Sequence, residues 1–408
     1  MRSSSHRALS LALLAGAVWT SAAVAQEAEE PATPDSAAVE EVGAPRVGHG
    51  EKGWELETAD GKFLIQFQPR VQMRFSAPFD QDPFTFLQAD ETTFKVNRAR
   101  IKIGGHGFQP WLKYYFEYEL AAGALLDFKL SVEKYPGLSL RVGQWKVNYN
   151  RERVISSGRQ ELADRSLINP VFTVDRQQGI EVFGRLSGGG AADVSYWAGV
   201  FTGTGRGSRS NDDDHAMWVG RLQWNFLGQP VEFTGSDLTH HEHAAAIIAL
   251  GGVTNRSAYT RFSQAGGGEL PGFEEGEPGQ YRVNQALLET ALKWRGLSWQ
   301  QELHWKKIDD TETGDVTTLV GNYAQIGYFF HGLWSWVPEP LELAARHSIY
   351  DPDDDTAQDL QNEIALAANW FFHGHNNKLT AEISYFSFDE GVAERDGARF
   401  RLQWDISF

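Results

Sequence analysis

The chain has 408 residues, of which 41% are hydrophobic and 12% aromatic, and it carries a formal net charge of −17 with no cysteine. The acidic balance argues against a nucleic-acid partner, because proteins that bind nucleic acids present basic surfaces. The absence of cysteine excludes a disulfide framework and a thiol nucleophile, and the 41 glycines, 14 tryptophans and 25 phenylalanines favour an all-β chain.

The first 25 residues have the pattern of a secretory signal peptide. Arg2 and Arg7 precede an apolar run over residues 9–19, and Ala-Val-Ala at 23–25 is a small-residue cleavage site. The run is too short for a transmembrane helix, which needs roughly 20 residues. Cleavage removes the two arginines and changes the formal charge from −17 to −19.

The next segment, residues 26–50, is acidic and rich in alanine and proline. Its low hydrophobicity and like charges predict a disordered leader. The sequence therefore predicts three parts: a signal peptide at 1–25, the leader at 26–50 and a folded domain at 51–408.

From residue 63 onward the chain alternates apolar and polar residues, which is typical of strands with one apolar and one polar face. In the last strand the apolar positions are Phe400, Leu402, Trp404, Ile406 and Phe408. The sixteen predicted strands are residues 63–75, 94–103, 111–119, 125–133, 138–147, 180–186, 194–201, 216–226, 244–250, 281–294, 297–306, 317–330, 341–350, 362–371, 378–388 and 399–408, with a Gly-Gly turn predicted at 104–105.

This pattern predicts a 16-stranded antiparallel transmembrane β-barrel, since apolar residues of such barrels face lipid and polar residues face the lumen. The even strand number brings both chain ends to one side of the membrane. Long polar connections mostly follow odd-numbered strands, but residues 227–243 are long on the short-turn side. The terminal Phe408 resembles the sorting signal of bacterial outer-membrane barrels, which implies the barrel assembly machinery as a partner.

Three stretches resemble the phosphate-selective porin O and P family. They are FKVNRARIKIGGHGFQPWLKYYFEYE at 94–119, RVGQWKVNYNRERVISSGRQELADRSLINPVF at 141–172, and GNYAQIGYFF with PLELAARHSIYD at 321–330 and 340–351. The resemblance implies a 16-stranded barrel in outer-membrane lipid, typically a homotrimer, that passes phosphate and other small anions by passive diffusion. It implies no cofactor.

The connection at 148–178 is about thirty residues long, and loops of that length are uncommon unless functional. We expect it to fold into the lumen as a constriction. Anion passage needs fixed cations there, and the planar fork of arginine binds two phosphate oxygens at once. The candidate pore-lining residues are Arg70, Arg98, Arg100, Lys102, Lys113, Arg141, Arg151, Arg153, Arg159 and Arg221. Alternatively, such cations pair with lumenal carboxylates such as Glu117, Glu119, Asp127 and Glu181 and only solvate the wall.

Other functions stay open at this point. The alternatives are a weakly selective general diffusion porin, a barrel enzyme and a plugged structural barrel, although no motif places a Ser-His catalytic constellation. Two clusters resemble metal sites: His240, His241 and His243, and Asp351, Asp353 and Asp355. Neither has diagnostic spacing, since Thr356 replaces the turn glycine of a calcium loop and Asn362 its bidentate glutamate. No metal site is predicted.

Overall fold

A computed structural model describes residues 43–78, 91–207, 211–263, 267–389 and 396–408. The predicted signal peptide and most of the predicted leader lie outside these residues. At the end of the leader, however, residues 46–50 form a strand. The boundary predicted at residue 50 is therefore too late, because this stretch pairs with the segment that follows it.

The described residues contain eighteen strands, two short α-helices and one 3-10 helix, Phe330–Gly332. The strands are β1 Arg46–Gly50, β2 Gly53–Glu57, β3 Leu64–Ala77, β4 Thr93–Gly107, β5 Gln109–Glu119, β6 Ala124–Tyr135, β7 Leu138–Lys146, β8 Arg176–Ser187, β9 Asp193–Phe201, β10 Met217–Trp224, β11 Ala245–Ser257, β12 Tyr281–Trp294, β13 Leu297–Asp310, β14 Val316–Tyr328, β15 Leu341–Asp351, β16 Gln361–His373, β17 Asn377–Phe388 and β18 Gly397–Ser407. The α-helices are α1 Arg151–Val154 and α2 Asn169–Phe172.

Strands β3 to β18 form a closed antiparallel barrel, which confirms the predicted 16-stranded fold. Each strand pairs with its neighbour in sequence, and β18 closes the barrel on β3 from Phe400↔Ala77 to Ser407↔Arg70. Closure leaves no unpaired strand edge around the barrel, so the backbone groups within the bilayer are bonded to neighbouring strands.

The two faces of the barrel strands differ as the alternation predicts. On β16, Ile364 and Leu366 point outward and are more than half exposed, whereas Glu363 and Asn369 point inward and are buried. An apolar outer face suits lipid, and the polar inner face suits a lumen that contains water and polar chain segments. Within the described ranges, no helix is long and apolar enough to cross a membrane.

The β1–β2 hairpin extends the wall at the end where the chain terminates. Strand β2 pairs with Leu64 to Phe67 of β3, directly beyond the stretch of β3 that pairs with β18. At the junction the backbone N–H of Phe408 donates to the carbonyl of Pro69 at 3.0 Å. The last residue of the chain is thus bonded to the first barrel strand.

Candidate pore

The connection between β7 and β8, residues 147–175, lies inside the barrel. We call it the inward loop. It contains α1 and α2, and its side chains Ile155, Ile168 and Phe172 are fully buried. The loop contacts inward-facing side chains of strands on the opposite side of the barrel, which agrees with the predicted inward course.

Carboxylates of the wall formed by β12 to β17 hold the inward loop. Four of them accept hydrogen bonds from it: Glu289 from Arg151 Nε at 2.8 Å, Glu302 from the Glu152 amide at 2.7 Å, Glu382 from the Ala163 amide at 2.8 Å and Glu363 from the Leu167 amide at 2.8 Å. Because all four carboxylates are buried, with exposed fractions of 2% or less, these bonds satisfy groups that have lost contact with solvent.

Cations of the same wall bind carbonyl groups of the inward loop. Lys306 Nζ donates to the carbonyl of Val171 at 3.0 Å, and Arg346 Nη1 donates to that of Asp164 at 2.9 Å. Lys378 Nζ donates in the same way to the carbonyl of Gln160. The polar side chains of this wall therefore satisfy an irregular backbone segment that would otherwise be buried without partners.

A second segment, residues 227–243, also enters the barrel, from the short-turn end. The Gly235 amide donates to the Arg159 carbonyl at 2.8 Å, and Ser236 Oγ donates to Glu342 at 2.8 Å. Lys293 Nζ donates to the Ser236 carbonyl at 3.0 Å. The sequence analysis found this connection to be long although it lies at the short-turn end of the barrel. Its length is explained by its course into the barrel.

A cavity of about 590 Å³ lies between the inward loop and the wall formed by β3 to β8. Nine cationic side chains line it: Lys52, Arg70, Arg100, Lys102, Lys113, Lys129, Arg141, Lys146 and Arg159. Three carboxylates line it: Glu117, Asp127 and Glu133. Cationic side chains therefore outnumber carboxylates in the lining of this cavity, although the chain as a whole is acidic.

The cations of this first cavity differ in their partners. Arg100 pairs with Glu117 at 2.7 Å and with Glu119 at 2.6 Å, and Lys113 pairs with Glu133 at 2.5 Å. Two further pairs are Arg141 with Glu181 at 3.3 Å and Arg70 with Asp405 through a 3.0 Å bond from Nε. Lys102, by contrast, donates to the amide oxygen of Gln68 at 3.2 Å, and no carboxylate of the described residues forms an ion pair with it.

A second cavity, of about 240 Å³, lies on the long-loop side of the inward loop. Its cationic side chains are Arg98, Arg153, Arg165, Arg261, Arg399 and Arg401, and its carboxylates are Asp164 and Glu363. Arg153 Nε donates to Asp175 at 2.6 Å, and Arg98 donates to the amide oxygen of Gln72. Among the described residues, Arg98 has no ion-pair partner.

Asp164 of the inward loop faces this arginine-rich second cavity. Its carboxylate lies 3.0 Å from Arg74 Nη1 and 3.5 Å from Arg401 Nη1. Burial alone would raise its pKa, but the guanidinium groups of Arg74, Arg401 and Arg98 hold the pKa of Asp164 well below its usual range. Asp164 is therefore an ionised carboxylate among the cations.

Two predicted pore residues lie elsewhere. Arg151 and Arg221 have exposed fractions of 1% and 3%, and neither lines the first or the second cavity. Both bind Glu289, with Arg221 Nη1 at 2.6 Å, and Arg151 also donates to the Val231 carbonyl at 3.0 Å. Both arginines hold the inward loop to the wall. We had predicted that they face the pore.

The other predicted cations line one of the two cavities, but the sequence analysis left out several that do so too. Lys52, Lys129 and Lys146 line the first cavity, and Arg165 lines the second. The alternation of β6 and β7 placed Lys129 on the polar face and gave the signal that would have identified it. Arg165 belongs to the same long loop as Arg153 and Arg159, but that loop has no regular periodicity to show which of its arginines face a cavity.

The candidate metal clusters make ordinary contacts. His241 Nδ1 is 2.5 Å from Asp237 Oδ1, and the ring of His240 packs on Phe329 at 5.1 Å. Of the second cluster, Asp353 and Asp355 lie with Asp354 in one connection, where the side-chain oxygens of residues 353–355 are within 4.8 Å of one another and Asp354 and Asp355 are exposed. Exposed acidic groups of this kind are usually solvated.

The fold is similar to that of solved porins. With 10% identity and a TM-score of 0.55, the chain resembles a loop L8 deletion mutant of OmpT, an outer membrane protein of Vibrio cholerae, covering 85% of this chain and 100% of that one. It also resembles an anion-selective porin from Comamonas acidovorans, with 9% identity, a TM-score of 0.53 and coverage of 84% and 99%. At such identities the likeness shows the fold alone.

The family assignment comes from the sequence itself. A comparison with curated proteins gives no match. Residues 70–396, however, match the family described as phosphate-selective porin O and P, which confirms the resemblance seen in the three stretches. A match of this length identifies a channel rather than an enzyme. The chain belongs to the phosphate-selective porin O and P family and is a porin of the bacterial outer membrane.

Proposed function

We propose that the barrel passes small anions, phosphate or its relatives, by passive diffusion along the cationic side of the inward loop. The observation that supports this most directly is the separation of charges inside the barrel. Buried carboxylates of β12 to β17 bind the inward loop, while cations line both cavities. An ion crossing the lumen meets the cationic wall, because the loop covers the opposite one.

The acidic net charge does not oppose this function. Charges farther away than about 10 Å are largely screened at 0.1 M salt, so groups along the path act most strongly on an ion. Carboxylates such as Glu289 and Glu302 are fully buried and bonded to the loop. Glu289 is paired with Arg151 and Arg221, and Glu302 accepts bonds from the loop, so neither carboxylate is exposed to the open lumen.

A preference for phosphate rests on cations that retain bonding capacity. Arg98 lines the second cavity and Lys102 lines the first. Among the described residues, neither of these cations has an ion-pair partner. An arginine fork binds two oxygens of a phosphate, and a lysine adds a compact point charge. Together they provide successive positions for a doubly charged oxyanion.

The test is the reversal potential in a potassium chloride gradient across a planar bilayer. We expect an anion-type reversal potential that becomes smaller when Arg98 or Lys102 is changed to Ala. We also expect phosphate at low concentration to block the chloride current. The control is Arg282→Ala, since Arg282 is exposed on the outer face of β12. A cation-type potential in the unmodified protein would refute the proposal, and a potential near zero would indicate a weakly selective diffusion porin.

We further propose that the functional unit is a homotrimer, delivered by the barrel assembly machinery after removal of a signal peptide. This rests on the family and on the amino-terminal sequence. Cross-linking in membranes would give a trimer band, and mass spectrometry of the mature protein would show an amino terminus near residue 26. A monomer under all membrane conditions would contradict the trimer.

A further inference from the structure

The connection between β14 and β15, residues 329–340, carries a stack of exposed aromatic rings. Trp334 stacks on Phe330 with ring centres 5.4 Å apart and an angle of 9°, and Trp336 continues the stack at 6.1 Å and 17°. Trp336 is 80% exposed and Leu333 62%. Two tryptophans and a leucine in this position expose a large apolar surface that needs an explanation.

The connection is a compact structure and not a loose loop. A short 3-10 helix, Phe330–Gly332, starts it, and the Trp334 amide donates to the Phe330 carbonyl at 2.9 Å. His331 Nδ1 lies 2.7 Å from the Val337 carbonyl, and Val337 itself is buried. These contacts hold the tryptophan rings in place, so their exposure is a feature of the fold.

The stack continues the lipid-facing surface of the barrel. Phe330 packs edge-on against Tyr328, which follows Ile326 on the outward face of β14, with ring centres 4.9 Å apart. Outward residues Leu343 and Phe372 of the neighbouring strands are also exposed. The ring stack therefore begins where the outer apolar face of the barrel ends.

The stack lies at the end of the barrel that carries the β1–β2 hairpin and the carboxyl-terminal residue. The register places the start of β15 beside the end of β16, and the start of β17 beside the end of β18. In outer-membrane barrels the short turns lie on the periplasmic side. The leaflet at this level contains phospholipid head groups, where the indole ring finds both apolar contact and a partner for its N–H.

A cation lies on the turn that bonds to this connection, and the Arg295 guanidinium lies over the ring of Trp294 at 5.4 Å. Arg295 is exposed at the tip of the β12–β13 turn, and the next residue, Gly296, accepts a hydrogen bond from the Phe329 amide at 3.2 Å. An arginine next to interfacial tryptophans is complementary to a lipid phosphate. We propose that residues 330–336 together with Arg295 form an anchor in the periplasmic phospholipid leaflet, which fixes the depth of the barrel. This role is independent of which ion the pore prefers.

The absence of cysteine in the chain allows a direct test. Trp336→Cys carries one fluorescent label, and the folded barrel is placed in phosphatidylcholine vesicles that contain a spin-labelled lipid quencher or that are exposed to iodide. We expect the lipid quencher to remove most of the emission and iodide to have little effect. The matched control is Ala191→Cys, exposed in the glycine-rich β8–β9 turn at the same barrel end, where iodide should quench.

Two results would overturn the proposal. Quenching of the Trp336→Cys label by iodide but not by lipid would place the stack in water. Protection from both quenchers would place it against a second copy of the chain. If that variant does not fold, as shown by loss of heat-modifiable migration, Trp334→Cys gives the same readout from the middle of the stack.

Discussion

At the scale of single residues, Asp164 is the carboxylate with the greatest effect expected on ion selectivity. It lies among Arg74, Arg401 and Arg98, and it partly cancels their charge in the second cavity. Asp164→Asn removes one negative charge from this group. We expect a gain in anion preference of about fivefold, which corresponds to about 1 kcal/mol for a unit charge at close range in a watery lumen.

The measurement is the reversal potential of the Asp164→Asn variant. The control is Asp60→Asn, because Asp60 lies in an exposed turn. Because the guanidinium groups hold the pKa of Asp164 well below its usual range, the group stays ionised as the pH falls from 8 to 5. Acidification over that range should therefore fail to reproduce the effect of the substitution. An equal response to both variants would contradict a role for Asp164 in the pore.

Glu289, unlike Asp164, is expected to contribute to the stability of the fold and not to ion selectivity. It binds Arg221 at 2.6 Å and Arg151 at 2.8 Å, and all three side chains are buried. Glu289→Ala leaves two buried guanidinium groups without their anion, and breaking a buried pair in this way costs about 3–5 kcal/mol. We expect a lower midpoint in urea unfolding, and a smaller loss for Glu289→Gln, which keeps hydrogen-bond acceptor capacity. Unchanged midpoints would show that the loop is held by other contacts.

At the scale of elements, the inward loop is an irregular segment stabilised from both directions. Its outer contacts are the wall carboxylates, and its ends are joined where the Val147 amide donates to the Asp175 carbonyl at 2.8 Å. Within the loop, Glu152 accepts from the Ser166 amide at 2.6 Å and from Ser166 Oγ at 2.7 Å. Arg165 Nη2 also donates to the Ile155 carbonyl at 2.7 Å. The loop is thus a closed unit that keeps Arg153, Arg159 and Arg165 at its surface toward the cavities.

Removal of the middle of this unit should widen the pore. Deletion of residues 157–163 takes away Arg159 and the backbone groups that bind Lys378 and Glu382. We expect higher single-channel conductance and weaker anion preference. Deletion of residues 271–277 in the long connection after β11 is the control. If the first deletion leaves conductance unchanged, the path of the ions does not run beside the inward loop.

At the scale of the whole molecule, we expect Phe408 to contribute to the assembly of the barrel. Phe408 is half exposed on the outer face, and its amide bonds to Pro69 where the partner of β3 changes from β18 to β2. We expect Phe408→Ser to slow assembly, because it changes the predicted sorting signal and places a polar group next to lipid. Heat-modifiable migration over time measures the rate, with Phe108→Ser, exposed at the same barrel end, as the control. Equal rates for the two variants would exclude a special role for the terminal Phe.

Most of the strands could be predicted from the sequence, because successive side chains of a barrel strand face lipid and lumen in turn. Two of the errors in strand bounds fell on glycines. The pair at 104–105 suggested a turn, but β4 runs through it to Gly107, and Gly105 has a φ of 147° with the carbonyl of Leu64 too close for any Cβ. Strand β11 likewise continues past Gly251, where a Cβ would lie 3.3 Å from the ring of Tyr149. At these positions glycine allows a neighbouring group to approach the strand backbone closely, and the strand continues through it.

By itself the sequence determined the barrel, its strand number, its family and the length of the loop inside it, since these follow from period-two alternation and from local motifs. The tertiary structure alone decided which charges face the pore. Arg98 and Arg221 both lie on inward faces, yet one lines a cavity and the other is buried against Glu289. That difference depends on which wall the inward loop covers. The covering is set by hydrogen bonds between residues more than a hundred positions apart, such as the Glu152 amide with Glu302 and the Ala163 amide with Glu382. No local pattern encodes such contacts, because each donor and acceptor is an ordinary polar group until the closed barrel brings them together.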